Sequence, residues 1–306
     1  MKKTCAFGVE QTMNVIRVPG VSSANKAPRN RALSGRKKEY GLRLWLCVSI
    51  LACGLLTGCA SQVGGDWGAH TTLTPGWARV KSSALSAAKS PHTWVPVVGA
   101  AVFAIGDLDE DTLEWATDHN PIFGNIDDAK DWSDDLAVVA SVNWLATGVM
   151  TPSGESHYWE NKARGLGLQA LTLGVTRMVT NGMKSAVDRE RPDRPDKNNS
   201  FPSLHTSGAA AASTLAARNI EHLDLTARQK KYWQVGSYAL AGLTGWARIE
   251  ANRHHPSDVL FGYALGHFLA AFINDAFIIP AAGDDLHITV DSAGSKGLTV
   301  GLNYYW

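Results

Sequence analysis

Apolar residues in this chain gather into runs separated by short polar connections. After an N-terminal run at Leu44–Gly58, six more follow at Thr93–Gly106, Leu136–Met150, Gly165–Met183, Pro202–Ala217, Tyr232–Trp246 and Asp258–Ile279. Each reads as a helix, and their richness in Ala and Gly suits close helix–helix packing. The stretch Asp188–Ser200 holds two prolines and many charges, so no helix crosses it. Near the C-terminus the pattern changes period. His287–Asp291 and Leu298–Trp306 read as two strands around a Ser-Ala-Gly-Ser-Lys-Gly turn, with Val300, Leu302, Tyr304 and Trp306 on one face. The predicted fold class is therefore all-α, a six-helix bundle over residues 91–285, with a short C-terminal β-hairpin over 286–306.

The first apolar run differs from the rest. Arg36, Lys37, Lys38 and Arg43 precede it, and a charged region before a short apolar one reads as a secretory signal. It ends in Leu56-Thr57-Gly58-Cys59, which resembles the lipobox of bacterial lipoproteins. That resemblance implies cleavage before Cys59, lipidation of its thiol and, with Ala60 next, sorting to the outer membrane. Residues 1–58 are then leader and signal. Residues 59–90, rich in Gly, Ser and Thr from Gln62 on, read as a lipidated tether. Of the four cysteines, Cys5, Cys47 and Cys53 leave with the signal, so the mature chain has no disulfide of its own.

Charge narrows the partners. The leader holds ten basic and two acidic residues, so its removal leaves 248 residues at net −7, the wrong sign for a nucleic-acid binder. The stretch Asp107–Asp135 is acidic. Asp107, Asp109 and Asp111 alternate as in a calcium loop, but no glycine follows where its turn needs one, so the stretch reads as a solvated acidic face with no metal. Mean hydropathy is −0.11. Only the last helical run approaches the length and apolarity of a membrane span, and it contains His267, Asn274 and Asp275. These features favour a water-soluble helical domain held at the membrane by its lipid, with an integral membrane bundle as the alternative.

Candidate chemistry lies at the polar ends of the helices. In Arg248–Asp258 an arginine, a histidine and an aspartate stand at fixed spacing before an apolar run. Pro256 suits the first turn of a helix, where its missing N–H costs nothing. His254 would lie just outside the positive end of that helix, where free N–H groups attract anions. Asp258, four residues on, could hold one ring nitrogen and leave the other free to attack or to ligate. By itself the cluster also fits a helix cap with a surface histidine.

Two further stretches, Lys184–Pro192 and Pro202–His205, complete a set: Lys-x6-Arg-Pro, Pro-Ser-x-His and Arg-x5-His-x3-Asp. The set resembles the signature of the type 2 phosphatidic acid phosphatase (PAP2) superfamily, which includes lipid phosphatases, acid phosphatases and vanadium haloperoxidases. The resemblance implies a helical-bundle core and a metal-independent phosphoric monoester hydrolase needing no cofactor. It implies that Lys184, Arg191 and Arg248 neutralise phosphoryl oxygens, that Ser203 donates its hydroxyl and that the N–H groups of Leu204 and His205 add donors. It makes His254 the nucleophile of a phosphohistidine intermediate, Asp258 its orienting carboxylate and His205 the acid for the leaving group. The expected substrate is a phosphorylated lipid or small phosphoester at the periplasmic side of the envelope.

Two residues depart from the family pattern. Leu204 stands where glycine is usual, adding bulk beside the anion. Ala247 stands where serine is common. Alternatives implied by the same site are a vanadate-dependent haloperoxidase, with His254 as vanadium ligand, and a non-catalytic lipoprotein that binds anionic lipid. Arg189, Arg194 and Arg253 lie off the motif register and read as solvated or as an outer basic rim. Scattered tryptophans read as core packing.

Overall fold

The computed structural model describes residues 66–278, 286–292 and 298–304. The leader, the apolar run at 44–58 and Cys59 lie outside the described residues. Eight helices are described: α1 (Trp77–Lys89), α2 (Pro91–Phe103), α3 (Leu108–His119), α4 (Ile126–Met150), α5 (Tyr158–Val187), α6 (Leu204–Glu221), α7 (Ala227–Glu250) and α8 (Pro256–Phe277). The last six apolar runs correspond to α2 and α4–α8. The expectation of six helices is corrected to eight, because α1 and α3 are short and polar enough to escape a reading based on apolar runs. After the helices, Leu286–Ser292 (β1) and Leu298–Tyr304 (β2) pair antiparallel, with Val290 opposite Val300.

Local chemistry sets the helix ends. Asn125 caps α4 by accepting from the Asp128 N–H at 2.9 Å. Thr226 and Gln229 form a reciprocal capping box at the start of α7. Pro256 occupies the first turn of α8, as expected, and Asp258 accepts from the His255 N–H at 3.0 Å. Asp109, Glu110 and Asp111 fill the first turn of α3, where the helix dipole favours acidic groups.

The centre of the bundle is α6, which packs against α4, α5, α7 and α8. Its small residues allow this. Ala209 to Ala212 and Leu215 to Ala217 are all buried. The seam with α8 is tightest. A Cβ on Gly262 would sit 2.8 Å from the Ser203 carbonyl oxygen, and one on Gly266 would sit 2.1 Å from that of Ser207. Two glycines four residues apart thus bring the start of α6 against the first half of α8. A buried amide network ties the same helices together: Gln169 donates to Asn219 at 2.7 Å and to Asn274 at 3.0 Å, and accepts from Trp144 at 2.8 Å.

Two expectations fail at the edges. From Asp66 on, the segment read as tether is folded structure. Trp67 is 3% exposed, its N–H reaches the Pro152 carbonyl and its ring fills the space beside Gly165, where a Cβ would lie 2.4 Å away. Helix α1 then packs against α8. The folded helical region therefore starts well before residue 91. The acidic stretch is not a uniformly solvated face either, since Asp109 is buried.

Several helices carry exposed apolar stripes. Val138, Val142, Leu145 and Val149 form an exposed stripe down α4 at helical spacing. Trp94, Val95, Val98 and Val102 do the same on α2, and Tyr232, Val235 and Leu243 on α7. Trp67 packs in the core, but Trp77 and Trp159 are 78% and 80% exposed, against the expectation for the tryptophans. Among the described residues, α8 alone is long and apolar enough to cross a membrane, and half of that window is buried.

Candidate active site

Lys184 ends α5, Ser203–His205 start α6, Arg248 ends α7, and His254 and Asp258 flank the start of α8. The fold brings these ends together. The Ser203 N–H donates to the Asp258 carbonyl at 3.0 Å, joining the second motif to the third. Lys184 Nζ donates to the carbonyls of Asn199 at 2.5 Å and Ser200 at 3.2 Å, joining the first motif to the loop before α6. Arg191 is held by the Asn199 side chain. The first-turn amides of Leu204 and His205 have no carbonyl of their own helix to bind and are free for an anion. Ser203 Oγ accepts from Thr206 Oγ1 at 2.9 Å, so its own proton is available.

Lys184, Arg191 and Arg248 form a cluster of like charge. Neither Lys184 nor Arg191 makes an ion pair among the described residues, and Arg248 has only Asp134 at 4.0 Å. Burial lowers the pKa of Lys184 to about 8, with the Arg191 charge adding to the effect. Burial likewise brings Arg248 down to about 10. Buried cations pushed toward neutrality by burial and by one another would be relieved by a bound anion.

His254 is buried. Its Nδ1 lies 3.6 Å from Asp258 Oδ2, an electrostatic contact just beyond hydrogen-bond length, and 3.5 Å from Ser200 Oγ. Ser200 Oγ donates to the same Asp258 oxygen at 2.6 Å. The imidazole therefore turns Nδ1 toward the carboxylate and leaves Nε2 for the site. Burial holds its pKa down at about 3, so it is neutral near pH 7, as a nucleophile must be. Burial raises the Asp258 pKa, but His254, Arg189 and Ser200 outweigh it and hold the carboxyl at about 2.

Several residues of this site are not in the motifs. Arg189, read as solvated or rim, donates to Asp258 Oδ1 at 2.9 Å, to Ser257 Oγ at 2.7 Å and to Asp109 Oδ2 at 2.9 Å. Asp109 in turn accepts from the Ser257 N–H at 2.8 Å and from the Ser257 hydroxyl. The Asp258 carboxylate is thus fixed on one side by Arg189 and on the other by Ser200 and the His255 N–H. Arg253 does lie outside, paired with Asp193 at 2.6 Å, and Arg194 pairs with Asp193 at 3.1 Å.

On the opposite wall, His205 Nε2 lies 2.9 Å from Asp134 Oδ1. Arg248 donates to Ser133 Oγ at 3.0 Å. Burial and the Arg248 charge lower the His205 pKa to about 4, against the pull of Asp134. Leu204 points with His205 into a groove of about 910 Å³ between α4, α5 and α6. The bulk expected beside the anion is thus directed along this groove.

Residues 165–277 match the family model of the PAP2 superfamily. The matched region takes in every motif residue from Lys184 to Asp258 but stops short of Asp109, Ser133 and Asp134. The chain is also similar to the lipid A 1-phosphatase of Porphyromonas gingivalis, with 34% identity over 147 residues, 46% of this chain and 32% of that one. It thus spans about a third of the length of that relative. Among solved structures it is similar to a transmembrane PAP2-type phosphatidylglycerolphosphate phosphatase from Bacillus subtilis, at 20% identity and a TM-score of 0.45, over 64% of this chain and 94% of the other.

Proposed function

We propose that the protein is a phosphatase that hydrolyses lipid phosphomonoesters at the cell envelope through a phosphohistidine intermediate. The observation that carries this reading is one cluster: a neutral buried histidine backed by a fixed carboxylate, facing three cations without close counter-ions. Phosphoryl transfer needs mainly positioning and charge neutralisation, and this cluster offers both. Lys184, Arg191 and Arg248 take the phosphoryl oxygens, joined by the Ser203 hydroxyl and the N–H groups of Leu204 and His205. His254 Nε2 attacks phosphorus in line as the P–O bond to the leaving group breaks. His205 gives its proton to the departing oxygen. Water then attacks the phosphohistidine, giving its proton to His205, and orthophosphate leaves with His254 neutral again. Asp258 stabilises the imidazolium formed in between.

The P. gingivalis relative acts on a lipid phosphate, and the apolar outer faces of α2, α4 and α7 favour a lipid surface over bulk water. A lipid on Cys59 would add a second hold, with the domain facing the periplasm and the outer membrane as the address. The three cations supply the charge neutralisation, so activity is expected to persist in chelator.

Phosphate release from phosphatidic acid in detergent micelles and from an aryl phosphate, with chelator present, tests the reading. Wild-type turnover that falls at least a thousandfold in His254→Ala is the expected result. Equal rates in the two proteins would overturn it.

A further inference from the structure

The groove beside His205 is larger than a phosphate needs. Its walls come from α4, α5 and α6, with Val138, Val142, Leu145 and Leu173 among them. It reaches from Asp134 and His205 at the reaction centre to Arg177 on α5. Arg177 is the one charged residue between Arg164 and Lys184 on that helix. It makes no ion pair among the described residues. Lys184 stands seven positions on, so the two lie about 10 Å apart along the helix on nearly the same face. An arginine fork is suited to two-point capture of a phosphate or carboxylate. A small phosphoester at the motif residues would leave both the apolar walls and this cation unused.

We propose that the groove is a lipid subsite and that Arg177 binds a second anionic group of the substrate, about two helical turns from the phosphomonoester. This rests on the phosphatase reading above and narrows its substrate class to lipids bearing two separate anionic groups. The apolar chains lie along α4 and α5, the reacting phosphate sits among Lys184, Arg191 and Arg248, and the second anion meets the Arg177 guanidinium. Arg177 acts in selectivity and takes no part in bond breaking.

The test compares three probes: an aryl phosphate, phosphatidic acid with its single phosphate, and phosphatidylglycerophosphate, which adds a phosphodiester to the monoester. In Arg177→Gln the ratio of kcat/KM for the two-anion lipid to that for the aryl phosphate is expected to fall about tenfold or more, mainly through KM. Arg177→Lys is expected to restore part of it, and the corresponding ratio for phosphatidic acid to move less than about threefold. An unchanged ratio for the two-anion lipid, or an equal loss for both lipids, would overturn the subsite. Should the wild type turn over none of the three, the phosphatase reading fails on its own. The subsite is then judged by binding of the two lipids to the wild-type protein in micelles. A tenfold preference for the two-anion lipid that disappears in Arg177→Gln supports it, and equal binding overturns it.

Discussion

Asp134 Oδ1 lies 2.9 Å from His205 Nε2 and 4.0 Å from Arg248, so one carboxylate bridges the proposed acid and a proposed phosphate ligand. Without it, burial and Arg248 would push His205 still further toward its neutral form. Asp134 therefore positions His205 and opposes the loss of its proton. An anion arriving beside Arg248 competes with this carboxylate for both partners.

Replacing Asp134 with Asn should weaken acid catalysis, and the leaving group reveals it. Alkyl leaving groups need a proton and aryl ones need it far less. Acid catalysis by one side chain contributes about 10²–10⁴-fold, so Asp134→Asn should slow an alkyl phosphate at least tenfold and an aryl phosphate little. Equal slowing of both substrates would show that Asp134 acts only in folding or binding.

The pH profile should fall in two steps. The reactive complex needs one proton, carried either by His205, at about 4 in the free protein, or by the substrate, whose second phosphate pKa is about 6. Above roughly pH 6 that proton is lost, so kcat/KM should decline. A second fall should begin near pH 8, where Lys184 gives up its charge. The sign follows from the role: the protonated amine binds the anion, so activity belongs below its pKa. Lys184→Arg keeps the charge at high pH and should remove the second step while leaving the first. A profile measured with an alkyl phosphate from pH 4 to 10 reads both.

Arg189 illustrates what a linear pattern can and cannot carry. The motif residues stand out through their resemblance to a family signature, and at the start of α8 local spacing also sets which groups share a turn. Pro256 at the first turn of α8 and Asp258 beside His254 follow directly from that. The contacts that hold them in place span the chain: Arg189 to Asp109 and Asp258, Asp109 to Ser257, Asp134 to His205. No local period encodes such pairings, so Asp109 and Asp134 looked like any acidic residues and Arg189 like a stray charge. The partner of Trp67 is hidden for the same reason, since its slot is made by Gly165 on a helix far along the chain.

Removing the Arg189 side chain leaves two buried carboxylates without their cation. Breaking a buried pair in this way costs about 3–5 kcal/mol. For a domain of this size each kcal/mol moves Tm by roughly 2–4 °C, so Arg189→Met should unfold some 6–20 °C earlier. The residual activity should also need higher pH on its acid side. With Arg189 gone the Asp258 carboxyl rises from about 2, and its ionised form, required beside His254, is then lost at a less acidic pH than in the wild type. A thermal melt and an acid-limb titration check the two effects separately.

The seam between α6 and α8 makes the last prediction the most geometric. A Cβ at position 266 would stand 2.1 Å from the Ser207 carbonyl oxygen, deep in the seam, whereas one at 262 would stand 2.8 Å from the carbonyl of Ser203 at the site itself. Both contacts are with backbone, which cannot rotate away. Gly266→Ala must therefore separate the helices and should cost about 1–3 kcal/mol, the usual range for overpacking, with Tm falling accordingly. Gly262→Ala demands a smaller shift, yet it displaces the residue that caps α6, beside the N–H groups proposed to bind phosphate. Its melting temperature should drop less than that of Gly266→Ala while its kcat/KM drops more. Loss of activity that simply tracked loss of stability across the pair would show that the start of α6 has no special part in binding the anion.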